Sequence, residues 1–417
     1  MTAVTADAET APAQSIGKPK VRVQTLDVIR GLAILGILAV NADGFAQPMF
    51  GALYPLTWPF PNEGATAISY WVMDAFFHHK FVALFSMLFG VSLFLVGGER
   101  TDKGKGRVLW RRLAVLLVLG LMHGFGLWWG DILALYAVTG MVMLFFRSFG
   151  PRTLLVMGAA LYVLMATNGM DPAVLPNASP EARAEATVAL IRPQEQIDGL
   201  RAMAAAETAE AKSSWAGAYR VNTEAYLRLL SGNPFLIPPT LALMMIGLSL
   251  FKSGFLAGRS RSWVYGAVIV VGAAGLGLQA WLSWQEHVLG APVLGGRLAE
   301  TLISPIIALA YASVLILMIK AGMAMRPLAA AGRMAFTNYL TQSLIMTGIF
   351  YGGRGSLMGE VDRPALWGIV LAVWALQLTW SPLWLSRFEM GPFEWIWRCL
   401  THGRWVPLVK REGALAV

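Results

Sequence analysis

The chain has 417 residues, of which 56% are hydrophobic and only 14% are charged, and its mean hydropathy is +0.58. Soluble domains carry about 45–50% apolar and about 25% charged residues, so this composition excludes a disordered protein, a nucleic-acid-binding domain and an ordinary soluble enzyme. A single cysteine, Cys399, excludes an internal disulfide and a thiolate metal cluster. The composition is typical of an all-α, polytopic integral membrane protein that contacts the lipid bilayer.

Apolar runs near the length of about 20 residues that crosses a hydrocarbon core predict about ten transmembrane helices. They lie at 26–45, 78–97, 108–128, 131–147, 152–169, 235–256, 263–284, 301–320, 333–351 and 365–385. The expected domains are a disordered cytoplasmic tail (1–25), an N-terminal transmembrane half of about five helices (26–169), an extracytoplasmic loop of amphipathic helices (170–232), a C-terminal transmembrane half of about five helices (233–386) and a cytoplasmic tail (387–417). The first span is interpreted as an uncleaved anchor, and the 170–232 loop could equally be a spacer.

The basic residues indicate the orientation of these spans. With a cytoplasmic N-terminus, 23 of the 33 Lys and Arg lie on the cytoplasmic side, and six of the other ten lie in the long 170–232 loop. Long loops count for little under the positive-inside rule. Both termini are therefore predicted to be cytoplasmic, and the net charge of +9 reflects topology rather than a nucleic-acid partner.

A polar group within a span is costly, by about 2.5–3.5 kcal/mol for a central charge, so it marks a functional site or a helix contact. Arg30 lies about one turn inside the first span, and Asn41 lies roughly 16 Å further along the helix, just before Asp43. Arg30 is a candidate for binding a phosphate that arrives from the cytoplasm. The alternative is a structural Asp27–Arg30 pair.

A second polar group lies at the end of the third predicted span and the start of the fourth. His123 lies late in that span, and Asp131 begins the next one after Trp128 and Trp129. A histidine beside a carboxylate can act as a general base, because the carboxylate fixes the tautomer and stabilises the imidazolium. The alternative is packing through Gly120 and Gly124, with His123 in a helix contact and Asp131 capping the next helix.

Two further groups lie in other spans. Asn338 and Gln342, one turn apart after Arg333, could orient a carbonyl or could join neighbouring helices. Asp74 and His78 are four residues apart and therefore share a helix face, beside His79. An interfacial or acceptor-site role is favoured for them. No third ligand is evident beside Asp74 and His78, so no metal site is predicted.

The longest motifs resemble a known family. TLDVIRGLAILGILAVN, KFVALFSMLFG, RRLAVLLVLGLMHGFGLWWGDILALYAVTG, AAGRMAFTNYLTQSLIMTGIFYGG and SPLWLSRFEMGPFEWIWRCLTHGR are similar to the YeiB-like bacterial membrane proteins, whose C-terminal half is labelled domain of unknown function 418. The resemblance covers nearly the whole chain except residues 1–20 and the 170–232 loop. It implies a multi-pass protein of the bacterial cytoplasmic (inner) membrane.

That family distantly resembles transmembrane acyltransferases of the heparan-glucosaminide and type-3 kinds. Those enzymes are similar in transferring an acyl group from cytoplasmic acyl-CoA to a sugar or other acceptor on the far side. Their first helix carries an arginine followed by His or Asn, and Arg30 and Asn41 match the second version. The heparan type has its catalytic His in the next segment, but residues 44–77 contain none, so His123 is the preferred base by elimination.

The sequence thus predicts a membrane acyltransferase, with acyl-CoA as co-substrate and no covalently bound cofactor. The expected catalytic residues are His123 and Asp131. The expected acyl-CoA-binding residues are Arg30, Asn41, Arg111, Arg112, Arg333, Asn338 and Gln342, and the expected acceptor-binding residues are Asp43, Asp74, His78, Trp128 and Trp129. The alternatives are a transporter or flippase for a lipid-linked or small polar molecule and a non-catalytic scaffold, and a homodimer is compatible with all three.

Overall fold

A computed structural model describes residues 24–410, and these residues form α-helices with no β-sheet beyond one isolated bridge between Phe388 and Val409. The all-α class predicted from the composition is confirmed. Most of the predicted N-terminal tail and residues 411–417 lie outside the described residues. The helices are α1 (Gln24–Ala46), α2 (Met49–Leu53), α3 (Gly64–Phe76), α4 (Lys80–Gly97), α5 (Lys103–Gly126), α6 (Leu133–Met143), α7 (Pro151–Thr167), α8 (Pro180–Ala189), α9 (Gln194–Ser213), α10 (Trp215–Lys252), α11 (Ser262–His287), α12 (Gly296–Lys320), α13 (Arg326–Arg333), α14 (Ala335–Phe350), α15 (Arg363–Arg387) and α16 (Pro392–His402).

Within residues 24–410, seven helical stretches are long and apolar enough to cross a membrane. They are α1, the Gly64–Gly97 stretch of α3 and α4, α5, α10, α11, α12 and α15. Each of the ten predicted spans coincides with a helix, but α6, α7 and α14 have only 11, 17 and 16 residues. At 1.5 Å per residue α6 is about 16 Å long, roughly half of a hydrocarbon core.

The 170–232 segment contains α8, α9 and the start of α10, but its last helix does not end at residue 232. α10 starts at Trp215 and continues without a break to Lys252, through Pro234, Pro238 and Pro239. The expected boundary between the loop and the C-terminal half therefore lies inside one helix. Membrane helices tolerate proline because neighbouring groups satisfy the freed carbonyls.

α1 is the central helix of the bundle, and 72% of its most apolar stretch is buried. It packs against α4, α12, α13, α14 and α15. Close approach elsewhere depends on glycine: a Cβ at Gly247 in α10 would lie 2.2 Å from the Met87 carbonyl oxygen in α4. The packed bundle brings α5, α6 and α14 together around His123, Asp131 and Ser343.

The bundle has two ends, which we call the basic end and the loop end. The basic end contains the start of α1, the start of α5, α13 and α16, where Arg112 stacks on Trp397 at 3.7 Å. The loop end contains α8, α9 and the segment between α2 and α3, where Arg201 donates to the Leu56 carbonyl. The candidate functional residues lie at both ends and between them.

Candidate functional site

His123, Asp131 and Ser343 form a buried chain of hydrogen bonds between three segments. His123 Nδ1 lies 2.9 Å from Asp131 Oδ1, and His123 Nε2 lies 2.9 Å from Ser343 Oγ. Their exposed fractions are 4%, 5% and 1%. The structure thus brings together the two residues that the sequence selected as base and orienting carboxylate, and adds a serine from α14.

The carboxylate of Asp131 determines which nitrogen of His123 can accept a proton. A neutral imidazole has one N–H donor, and a carboxylate can only accept, so Nδ1 carries the hydrogen and Nε2 is the acceptor for the Ser343 hydroxyl. This is the hydrogen-bonding pattern of a serine–histidine–aspartate triad. The arrangement can lower the cost of removing the proton from Ser343 Oγ.

The neighbouring residues hold these groups in place. Asp131 Oδ2 also accepts from the Ala134 amide at 2.8 Å, so the same side chain caps α6. The Tyr339 ring lies 5.1 Å from the His123 ring, and its hydroxyl donates to the Gly130 carbonyl. The helix-packing alternative is present as well, since a Cβ at Gly124 would lie 2.1 Å from the Tyr226 ring. Positioning and packing therefore coexist here.

The predicted phosphate-binding arginines share the basic end but have protein partners. Arg30 donates hydrogen bonds to Asp27 and Ser92 at 3.2 Å each. The contact with Asp27 is the structural ion pair that the sequence offered as the alternative to phosphate binding. Arg112 stacks on Trp397 and lies within electrostatic range of Arg30 and Arg398. Arg333 donates to the Glu389 carbonyl at 3.0 Å, and Arg111 is exposed. This end of the bundle is strongly basic.

The predicted amides join helices. Asn338 donates to the Ala331 carbonyl and to Ser381, and accepts from Trp380, while Gln342 donates to the Ile34 carbonyl and to Gln377. Asn338 and Gln342 are 0% and 2% exposed. These bonds favour the helix-joining interpretation over carbonyl binding. Asn41 is half-buried on α1.

Three of the expected acceptor-site residues lie between His123 and the loop end. Trp128 stacks on Phe45 with centroids 3.9 Å apart and donates to the Gly44 carbonyl. Its ring lies 6.5 Å from His123, and Trp129 packs beside it. On the far side Asp43 faces Arg363, with Oδ2 and Nε 3.6 Å apart. The stacked rings of Trp128 and Phe45 therefore form an apolar wall between His123 and the Asp43–Arg363 pair.

A second group of ionisable side chains lies at the break between α3 and α4. His78 Nδ1 contacts Asp74 Oδ1 at 2.9 Å and Glu300 Oε1 at 3.5 Å, and His287 Nε2 lies 3.7 Å from Asp74 Oδ2. Lys80, fully buried, donates to the Asp74 carbonyl. We call Asp74, His78, His79, His287 and Glu300 the Asp74 cluster. His287, the last residue of α11, joins this cluster through its contact with Asp74.

A cavity of about 1190 Å³ opens beside the Asp74 cluster. It lies between α9, the segment before α3 and the end of α11, and its lining includes Trp58, Phe60, Asn62 and His287. Gln47 also lines it, is 2% exposed, and has an Nε2 with no hydrogen bond among the described residues. Sites of this size and mixed character are typical of ligand binding. The cavity meets His287 rather than His123.

Sequence reasoning did not select Ser343, Arg363, Glu300 or His287. Ser343 directly follows Gln342 in a motif that drew attention only for its amides. Arg363, at the start of α15, is 2% exposed, and its guanidinium lies over the Trp58 and Tyr70 rings. Glu300 in α12 could have been selected from the sequence, because a carboxylate beside a long apolar run is costly in a membrane and marks a candidate functional residue.

Comparisons with known proteins identify relatives but no activity. The model of the family described as "Protein of unknown function (DUF418)" matches residues 250–404. The chain is 33% identical to the uncharacterized protein YxaH of Bacillus subtilis, over 94% of this chain and 96% of the relative, and 30% identical to the uncharacterized protein YeiB of Escherichia coli, over 90% and 95%. It is also 26% identical to an uncharacterized 39.9 kDa protein of Bacillus acidopullulyticus, over 94% and 97%. No solved structure matches. The chain belongs to the YeiB-like DUF418 family of membrane proteins.

Proposed function

We propose that this protein is a membrane-embedded acyltransferase in which Ser343, His123 and Asp131 carry the chemistry. The observation that supports the proposal is the buried hydrogen-bonded chain from Asp131 through both nitrogens of His123 to Ser343 Oγ. A carboxylate, an imidazole and a hydroxyl in this order activate the hydroxyl as a nucleophile. Acyl transfer is the reaction class in which such a nucleophile is most widely used.

In the proposed reaction, Ser343 Oγ attacks the carbonyl carbon of an acyl thioester, and its proton moves to His123 Nε2. The carbon–sulfur bond breaks, and the thiolate leaves with that proton as a free thiol. An acceptor hydroxyl or amine then attacks the acyl-serine ester while His123 takes its proton. The serine oxygen leaves and recovers the proton, which regenerates the starting state. Asp131 stabilises the imidazolium in both halves and stays ionised.

Acyl-CoA from the cytoplasm is the proposed donor. Arg30, Arg112 and Arg398 lie near one another at the basic end, and Arg111 is exposed close by. Guanidinium groups bind phosphates through charge-assisted, often bidentate hydrogen bonds. The adenosine phosphates would stay at this end while the acyl group reaches Ser343 within the bundle.

The test uses the purified full-length chain in lipid nanodiscs with radiolabelled acetyl-CoA and palmitoyl-CoA as two alternative donors. We expect CoA thiol release and a stable acyl adduct whose mass is that of one acyl group, mapped to Ser343 by peptide analysis. Ser343→Ala should abolish the adduct. His123→Ala and Asp131→Asn should lower the rate of its formation by about 10³-fold or more, since each removes part of a cooperating unit.

Ser313→Ala is the matched control, because Ser313 is also fully buried in an apolar helix and bonds the carbonyl four residues before it. It should react at the parent rate. An adduct that persists in Ser343→Ala would remove Ser343 from the mechanism. Failure of both donors to release CoA, with folded protein, would instead favour a transporter or a scaffold.

A further inference from the structure

We propose that His78, His79 and Glu300 bind a divalent transition-metal ion of the Zn²⁺ class at the loop end. The proposal is independent of acyl transfer and concerns the Asp74 cluster only. One ligand atom from each of the three residues lies within 4.8 Å of the other two. Two imidazoles and a carboxylate form the ligand set of several catalytic zinc sites, which keep one position open.

The spacing is close to what such an ion requires. With ligand bonds of about 2.0–2.2 Å, ligand atoms around a tetrahedral ion lie roughly 3.3–3.6 Å apart. The three ligand atoms lie within 4.8 Å of one another, so ion binding requires them to move closer by up to about 1.5 Å through side-chain rotation. His79 is exposed and Glu300 is half-buried, so both are able to rotate.

Asp74 orients His78 for this task. Its Oδ1 holds His78 Nδ1 at 2.9 Å, which leaves Nε2 for a cation. A carboxylate on the far nitrogen of a metal-bound histidine fixes the ring and raises its basicity. His287 Nε2 lies 3.7 Å from the other oxygen of the same carboxylate, Asp74 Oδ2.

The backbone at His79 gives a second reason. His79 has φ 62°, in the left-handed region that non-glycine residues rarely adopt, and it follows the end of α3 directly before α4. The His78 and His79 rings stack with centroids 3.9 Å apart, and because the lone pair of an imidazole nitrogen lies in the ring plane, one ring must rotate for both to bind one ion. A strained residue is retained where the surroundings determine it, and such positions cluster at binding sites.

Charge and access favour a cation as well. Asp74 and Glu300 contribute two carboxyl groups, and Glu300 Oε1 lies only 3.5 Å from His78 Nδ1, so a carboxylate is already placed beside the imidazole. Imidazole with carboxylate suits Zn²⁺, Fe²⁺ or Ni²⁺ better than Mg²⁺ or Ca²⁺. His287 of the same cluster lines the cavity of about 1190 Å³, and His79 is exposed.

The experiment measures metal content rather than activity. Full-length protein with its affinity tag removed is incubated with ZnCl₂, freed of excess ion by gel filtration and analysed by mass spectrometry for metals. We expect about one Zn²⁺ per chain, and a visible absorption band when Co²⁺ replaces it. The binding constant is measured by titration with the same salt against a competing chelator.

Three variants test the ligands. His79→Gly removes an imidazole while accepting the positive φ, and it should lose at least 100-fold in affinity. Glu300→Gln should do the same, and Asp74→Asn should weaken binding by about 10–100-fold by releasing the His78 ring. His402→Gln, an exposed histidine in α16, is the control and should bind like the parent.

Two outcomes would overturn the proposal. Parent protein with less than a tenth of an equivalent of metal after incubation would show that Asp74, Glu300 and a protonated His78 form an ion-pair network. Retention of parent affinity in both His79→Gly and Glu300→Gln would place the ion elsewhere. Circular dichroism and gel filtration of every variant confirm that each remains folded.

Discussion

Glu394 shows how one side chain can connect two elements. Its carboxylate on α16 accepts hydrogen bonds from the Phe336 and Thr337 amides and from the Thr337 hydroxyl at the start of α14. The first amides of a helix have no partner within it, so an external acceptor stabilises that end. Glu394 thereby fixes the end of α14 that leads to Asn338, Gln342 and Ser343.

The pH dependence of stability follows from the same residue. Burial raises the pKa of Glu394 above its ordinary value of 4.5. The folded protein therefore holds a proton more tightly than the unfolded chain, and its free energy of unfolding falls as pH rises from about 4.5 through the raised pKa. Glu394→Gln removes the titration but keeps an acceptor. We expect the variant to lose less stability than the parent across this interval.

Thermal unfolding of parent and Glu394→Gln, followed by tryptophan fluorescence at several pH values above 4.5, checks this expectation. Glu389→Gln is the control, because this exposed residue precedes the same helix and, within residues 24–410, no hydrogen bond joins its carboxyl to the start of α14. Parallel curves for Glu394→Gln and the parent would contradict the assignment.

At the scale of elements, α1 and α13 cross at glycine. A Cβ at Gly332 would lie 1.8 Å from the Asp27 carbonyl oxygen, and one at Gly31 would lie 2.0 Å from the Leu328 carbonyl oxygen. Two backbones in direct contact cannot yield as the end of a side chain can. The crossing places the start of α1, which carries Arg30, against α13, and α13 ends at Arg333 directly before α14.

Gly332→Ala should therefore be strongly destabilising, by about 1–3 kcal/mol or more. The matched control is Gly348→Ala in α14, where a Cβ meets nothing within 4 Å. That change should be neutral or stabilising by about 0.4–1 kcal/mol, since alanine restricts the unfolded chain. Unfolding midpoints of the two variants in the same detergent measure the difference. Equal midpoints would show that α1 and α13 can separate without cost.

The approximate positions of the membrane helices were predictable from the sequence because long apolar runs mark them. Ten apolar runs became ten helices, and His123 and Asp131 were selected together because they are eight residues apart. Ser343 is 220 residues from His123, and Glu300 is distant from Asp74, so only tertiary packing reveals these pairs. The continuation of α10 through three prolines was likewise missed, because local propensity opposes it.

At the scale of the whole molecule, we predict that the two ends of the bundle face opposite sides of the membrane. Gly295, at the start of α12, lies against Val174, whose segment packs on α8. The 25 residues of α12 span about 37 Å, more than the hydrocarbon core, and lead to Met323. Val188 in α8 and Met323 are 69% and 51% exposed, so they report the two faces.

The positive-inside prediction assigns Met323 to the cytoplasm and Val188 to the outer side. Val188→Cys and Met323→Cys are each introduced in a Cys399→Ser background, which removes the native cysteine. A membrane-impermeant maleimide applied to intact spheroplasts should label Val188→Cys and spare Met323→Cys. Permeabilised spheroplasts should label both, which shows that each thiol is reactive. Because the arginines proposed to bind acyl-CoA lie at the same end as Met323, the reverse labelling would place them away from the cytoplasmic donor and would overturn the proposed direction of acyl transfer.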